Sequence, residues 1–155
     1  MCLKTFCIEA IAKFPPLVDA QTGQIKYTYC NAGVDYIARR MGCDDFHGPS
    51  GVFLADKICN ILFERWINIT SDDAFSLAKQ GTLIIAGLSS RELRATHGHV
   101  AIVYPAENML YSGSWKKLVP MLANVGKTNG VLKASQCFPI EPKYYLRPGR
   151  NYHRR

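Results

Sequence analysis

The 155-residue sequence has no Cys-x-x-Cys pair among its six cysteines. It therefore lacks the ligand spacing on which structural zinc knuckles are built. No run approaches the ~20 apolar residues that a membrane-crossing helix needs. The opening stretch, MCLKTFCIEAIAKFPP, has no uninterrupted apolar core of the kind a secretory leader carries, because Glu9 breaks it. These absences read as a chain made in the cytoplasm without a leader and without membrane insertion. No repeat, low-complexity tract or linker divides the sequence, so residues 1–155 read as one domain. Acidic residues are scarce, 12 against 19 lysines and arginines, which leaves a net charge of +7. That excess favours an anionic partner (nucleic acid, a membrane surface or an anionic polymer) without choosing among them. Lys143, Arg147, Arg150, Arg154 and Arg155 crowd the C-terminus. They read as a solvated tail, frayed from about residue 147.

What is present reads as a folded domain, with 48% hydrophobic and 20% charged residues. Leu3, Phe6, Cys7, Ala10, Ile11 and Phe14 fall on one helical face, and Pro15-Pro16 ends that helix. A loop with a turn at Gln21-Thr22-Gly23 follows. The pattern Cys30, Val34, Ile37, Ala38 and Met41 predicts a second helix, stopped by Gly42. A third is expected over 51–66 with Leu54, Ala55, Ile58, Leu62 and Trp66 inward. Thr70-Ser71-Asp72-Asp73 supplies a cap and an acidic first turn for a fourth, which Gly81 closes. The pattern then changes. TLIIAGL (82–88) and HVAIVYP (99–105) are short β-branched runs bounded by Gly and Pro, and read as strands. LVPMLANVG, GVLKASQCF and KYYL are weaker strand candidates. Helices first and strands after predict an α+β domain with a mostly antiparallel sheet.

Two segments carry the chemistry. Cys30 sits where an extended IKYTY meets a helix. A thiol at a helix N-terminus is favoured as the thiolate, and its own N–H can face an oxyanion. The alternative is one more buried thiol. His99 opens a strand, with His97 two positions before it and Gly98 between them. In a strand His99, Ala101 and Val103 share one face, and Val100, Ile102 and Tyr104 the other. A rigidly held imidazole suits a general base and equally suits a structural histidine. His97-x-His99 also has the parity of a metal pair, yet no third ligand stands at an obvious companion position, so no metal is expected.

The joint order, a Cys opening a helix and a later Gly-His opening a strand, is that of papain-like cysteine hydrolases of the NlpC and CHAP type. The segments YCNAGVDYIARRMG, AKQGTLIIAGLSS, HGHVAIV and ANVGKTNGVLKAS ahead of KYYLRP go further. Over roughly residues 25–147 they resemble the type VI secretion amidase effectors, cysteine hydrolases that one bacterium injects into a rival's periplasm to cut cell-wall peptide. The resemblance implies a papain-like/NlpC-type fold, with Cys30 as nucleophile, His99 as base and no cofactor. It also implies action in the target cell's periplasm, and as partners peptidoglycan, the type VI secretion apparatus and a cognate periplasmic immunity protein, with no nucleic acid. The scissile bond it favours is γ-D-glutamyl–diaminopimelate, with the D-alanyl–diaminopimelate cross-link as the alternative. Relatives often carry Cys-Ser-Gly-Phe where this chain has Cys30-Asn31-Ala32-Gly33-Val34, so Asn31 stands at a substrate-side position. Asn124 is the candidate third member, orienting the imidazole, or else a turn residue before Gly126. Tyr29 (or Tyr27) is a candidate for the oxyanion site, and His97 for the rim of the groove. Competing readings are a phage-type or housekeeping wall hydrolase, a thiol acyltransferase and a basic nucleic-acid-binding module. The last finds no aromatic-basic recognition motif here.

Overall fold

The computed structural model describes residues 2–149. The elements run α1 (Leu3–Lys13), β1 (Leu17–Val18), β2 (Ile25–Tyr27), α2 (Cys30–Arg40), β3 (His47–Gly48), β4 (Gly51–Val52), α3 (Ala55–Arg65), β5 (Ile67–Ile69) and α4 (Ser71–Lys79). They continue with β6 (Ile84–Leu88), α5 (Ser90–Leu93), β7 (His99–Val103), β8 (Leu110–Ser112), β9 (Lys117–Val119), β10 (Met121–Asn124), β11 (Gly130–Lys133), α6 (Ala134–Cys137) and β12 (Lys143–Leu146). The fold is α+β. Its main sheet has six strands in the order β11-β10-β7-β6-β12-β5, every neighbour antiparallel. No helix among the described residues is long and apolar enough to cross a membrane.

The sheet is covered on both faces, and the two-residue period of β7 sorts its side chains between them. Val100 and Ile102 join Ile85 and Ala123 against α1, α2 and α3, where Phe6, Val34, Ile37, Ile58 and Leu62 are buried. Ala101 and Val103 join Ile84, Ala86 and Leu122 on the other face, under α4 and α6 with Ala74, Ala78 and Phe138. Each fully buried Ile or Leu in these layers contributes about 1.5–3 kcal/mol relative to exposure. His99, at the start of β7, has the parity of the second face, and its ring packs on Phe138 with centroids 4.9 Å apart.

The local signals place most helices. α4 is capped as its sequence predicts: the Thr70 hydroxyl accepts from the Asp73 N–H at 3.1 Å. Gly42 and Gly81 follow their helices at φ 81° and 92°, which a side chain would resist. Several expectations are corrected. The loop after α1 is a small hairpin, β1 with β2. The third helix starts at Ala55, not near 51, because Gly51 and Val52 pair with His47 and Gly48 as a hairpin. Leu54 precedes the helix and is 75% exposed, not inward. Pro120, which has no N–H to give a ladder, separates β9 from β10 in LVPMLANVG. GVLKASQCF is a strand only as far as Lys133. The Gln136 side chain then accepts from the Lys133 N–H at 2.9 Å and the chain turns into α6.

Two of the five C-terminal basic residues are fixed. Lys143 lies in β12 with its Nζ 2.8 Å from Glu92, and Arg147 donates to the Gly42 carbonyl at 3.2 Å. Arg150, Arg154 and Arg155 lie outside the described residues.

Candidate active site

α2 delivers Cys30 to the sheet. Several contacts fix the helix. Asn31 Nδ2 donates to the Phe53 carbonyl at 3.0 Å, the buried Asp35 carboxylate is 3.1 Å from His47 Nδ1, and Gly33 lies so close to Val125 that an added Cβ would meet it at 2.7 Å. The Asn31 amide, a candidate for substrate contact, is thus engaged in docking α2.

The thiol comes to rest on β7 one residue beyond His99. The Tyr104 N–H donates to Met121 on β10. Antiparallel alternation aims the Val100 N–H the same way. The β7–β10 pairing is confined to Val103–Leu122 and Ile102–Ala123, so β10 no longer meets that N–H. Cys30 does: the N–H groups of Val100, Asn31 and Cys30 itself face the sulfur and stabilise its anion, while the larger effect, burial, pushes the thiol pKa up. Cys30 is 8% exposed.

His99 Nε2 lies 2.7 Å from Asn124 Oδ1. The orientation of that amide follows from its other end, where Asn124 Nδ2 donates to the Thr128 carbonyl at 2.8 Å. Oδ1 therefore faces the ring, and since it only accepts, Nε2 carries the proton. The basic lone pair of the neutral ring is left on Nδ1, the nitrogen nearer its own strand backbone. Burial pushes the His99 pKa down, partly offset by the Asn124 bond. Thiol and imidazole are both biased to their neutral forms, and no hydrogen bond joins them at rest.

A segment that sequence reasoning resolved only in part completes the arrangement. Val125 takes the first turn of α2. Gly126 lies against the imidazole, where an added Cβ would be 3.3 Å from His99 Cε1. Asn129 then clamps the loop: its Oδ1 accepts from the Gly126 N–H at 2.9 Å, and its Nδ2 donates to the carbonyls of Phe14 at 2.8 Å and Ile11 at 3.1 Å, at the end of α1. The motif ANVGKTNG was visible, but the carbonyls that accept from Asn129 Nδ2 lie more than a hundred residues away and leave no local signal. Asp56 was also missed. It accepts from the Ser90 N–H at 2.7 Å and abuts Gly98, so it holds the turn that leads into His99. The Ser90 hydroxyl, which also donates to Asp56, and the Ser90 N–H lower its pKa.

A cleft of about 550 Å³ opens over the imidazole, lined by His99 and Asn124 together with Thr28, His97, Lys127 and Gln136, among others. His97 is exposed at its side. Cys30 is not part of the lining, whereas Thr28, two residues before it, is. Tyr29 caps α2 half-buried, and Tyr27 is 59% exposed on β2. Among the described residues no three or more His, Cys, Asp or Glu side chains gather in a metal-binding group.

The arrangement sets the Cys30 thiol at the start of α2 against the strand residue that follows His99, an imidazole with a fixed tautomer and an amide that orients it. Asn124→Ala and Asn129→Ala are each expected to lower turnover of the protein's substrate by about 100-fold or less, through misplacement of the ring. Rate measurements beside Cys30→Ala and His99→Ala would test this. A loss at Asn124 as large as that at His99 would contradict an orienting role. Compared with known proteins, the chain matches no family model and no curated protein.

Proposed function

We propose that the protein is a cysteine amidase of papain-like/NlpC type that hydrolyses peptide amides of peptidoglycan. The observation that carries this reading is the fixed His99 tautomer, which leaves Nδ1 free as a base one residue along β7 from the Val100 N–H that faces the Cys30 thiol. As the sulfur attacks the carbonyl carbon, Nδ1 takes the thiol proton. The oxyanion faces the N–H groups at the start of α2. The tetrahedral intermediate collapses with cleavage of the C–N bond, and the proton on His99 passes to the departing amine. Water then attacks the thioester, giving one proton to Nδ1, and the sulfur leaves as the thiolate and recovers that proton.

The cell-wall substrate rests on the motif resemblance and is supported by the +7 charge, which suits an anionic polymer. On this reading the protein is a type VI secretion effector acting in a rival's periplasm. A periplasmic immunity protein covers the cleft, and the bond cut is γ-D-glutamyl–diaminopimelate. The test is digestion of purified sacculi by the wild type and by Cys30→Ala, with products identified by mass spectrometry. The expected products end at D-glutamate and are absent with Cys30→Ala. Cross-linked dimers collapsing to intact tetrapeptides would move the cut to the D-alanyl bond. Undigested sacculi, with salt-sensitive retention on DNA, would replace the amidase by a nucleic-acid-binding module.

A further inference from the structure

The cleft over His99 contains one formal cation, Lys127, and no acidic residue in its lining. Three of the ten lysines meet carboxylates: Lys79 with Glu107, Lys117 with Glu141, Lys143 with Glu92. Lys127 has no ion pair or hydrogen bond to another described residue through its side chain. Its backbone, by contrast, is fixed on both sides by the residues around His99. Gly126 before it touches the imidazole and is bonded by Asn129, and the Thr128 carbonyl after it accepts from Asn124. The side chain thus starts from a fixed backbone beside the imidazole and reaches on a flexible stem, in a cleft of a size that takes a few residues of peptide.

We propose that Lys127 is a specificity-determining residue that binds a free carboxylate flanking the scissile amide. This rests on the amidase reading above. In a stem peptide two carboxylates qualify. The D-glutamyl α-carboxylate flanks the γ-amide on its acyl side. The free carboxylate of diaminopimelate flanks the cross-link on its amine side. The shared chemistry is a carboxylate paired to an ammonium in a half-open site, where one such contact changes affinity by about tenfold.

The experiment uses the full chain carrying Cys30→Ala, so that binding is read apart from turnover. Calorimetry would compare a γ-D-glutamyl–diaminopimelyl peptide with two analogues, one amidated at the glutamyl α-carboxyl and one at the free diaminopimelate carboxyl. Lys127→Gln is expected to weaken the free-acid peptide about tenfold. It should leave unchanged whichever analogue lacks the recognised carboxylate, and Lys127→Arg should retain binding. In the active protein the same Lys127→Gln change should raise KM with kcat nearly held. Loss on the diaminopimelate-amidated analogue but not on the glutamyl-amidated one identifies the glutamyl carboxylate, and the reverse pattern identifies that of diaminopimelate. Unchanged free-acid binding in Lys127→Gln, or equal loss for all three peptides, overturns the assignment alone. A parent protein that binds none of the peptides overturns the amidase reading and this assignment with it.

Discussion

Cys30→Ala is expected to lower peptidoglycan hydrolysis by roughly 10³–10⁶-fold, and His99→Ala by a similar factor. The double variant should be no worse than either single one, because a nucleophile and its base act as a unit. Additive losses would mean that the two residues do not share a step. The pH profile is a sharper check. Burial pushes His99 below the ordinary histidine value of 6.5 and Cys30 above the ordinary thiol value of 9.0. The working form is the neutral pair, which exists above the first value and below the second. Activity should therefore hold through neutral pH, fall on the acid side only below 6.5 and on the alkaline side only above 9.0. Asn124→Ala removes the bond that raises His99, so its acid limb should move lower still. Alkylation separates this from an ion-pair mechanism. Cys2 is exposed and its thiol pKa is lowered by the Thr5 hydroxyl, so iodoacetamide at neutral pH should label Cys2 before Cys30. Faster labelling of Cys30 would reveal a thiolate paired with an imidazolium.

The parts of this site that the sequence discloses are those governed by neighbours in the chain. Cys30 opens a helix because an apolar face begins there and Gly42 ends it. His99 and Ala101 share a face because a strand has a period of two. Asn124 follows the same rule: counted from Leu122, it lands on the face that carries His99, which distinguishes it from a turn residue. Leu54 was assigned inward by its helical spacing, but the spacing did not apply, since the β3–β4 hairpin delays the helix to Ala55. Asn129, Asp56 and the seat of the Cys30 sulfur depend on groups brought together by tertiary structure. The carbonyls of Ile11 and Phe14, the turn at Ser90 and the unpaired Val100 N–H leave no trace near those residues in the chain. Lys127 was hidden differently. A lone lysine in a loop carries no signal until the cleft around it shows that no acid shares its space.

Gly33→Ala is expected to destabilise the protein by about 1–3 kcal/mol, against the direction of helix propensity. In an exposed helix interior the change would gain roughly 1 kcal/mol, since glycine is the poorer helix former. Here the new Cβ would stand 2.7 Å from Val125 Cγ2 and 2.9 Å from Val125 Cβ. The Cγ2 can rotate away, but the Cβ is fixed to the backbone of the segment following β10. Relief must come from moving that segment or the first turn of α2. Both carry the site: α2 holds Cys30, and the segment runs on through Gly126 beside the imidazole. Activity should accordingly fall more than the loss of folded protein accounts for, and kcat should fall more than KM rises. Thermal unfolding and steady-state kinetics on the same samples would show this. Val125→Ala, which removes the closer contact and keeps the fixed Cβ, should rescue Gly33→Ala only in part, appearing as a coupling energy in the double-variant cycle. A Gly33→Ala protein as stable and active as the wild type would show that α2 does not need this close approach to present its thiol.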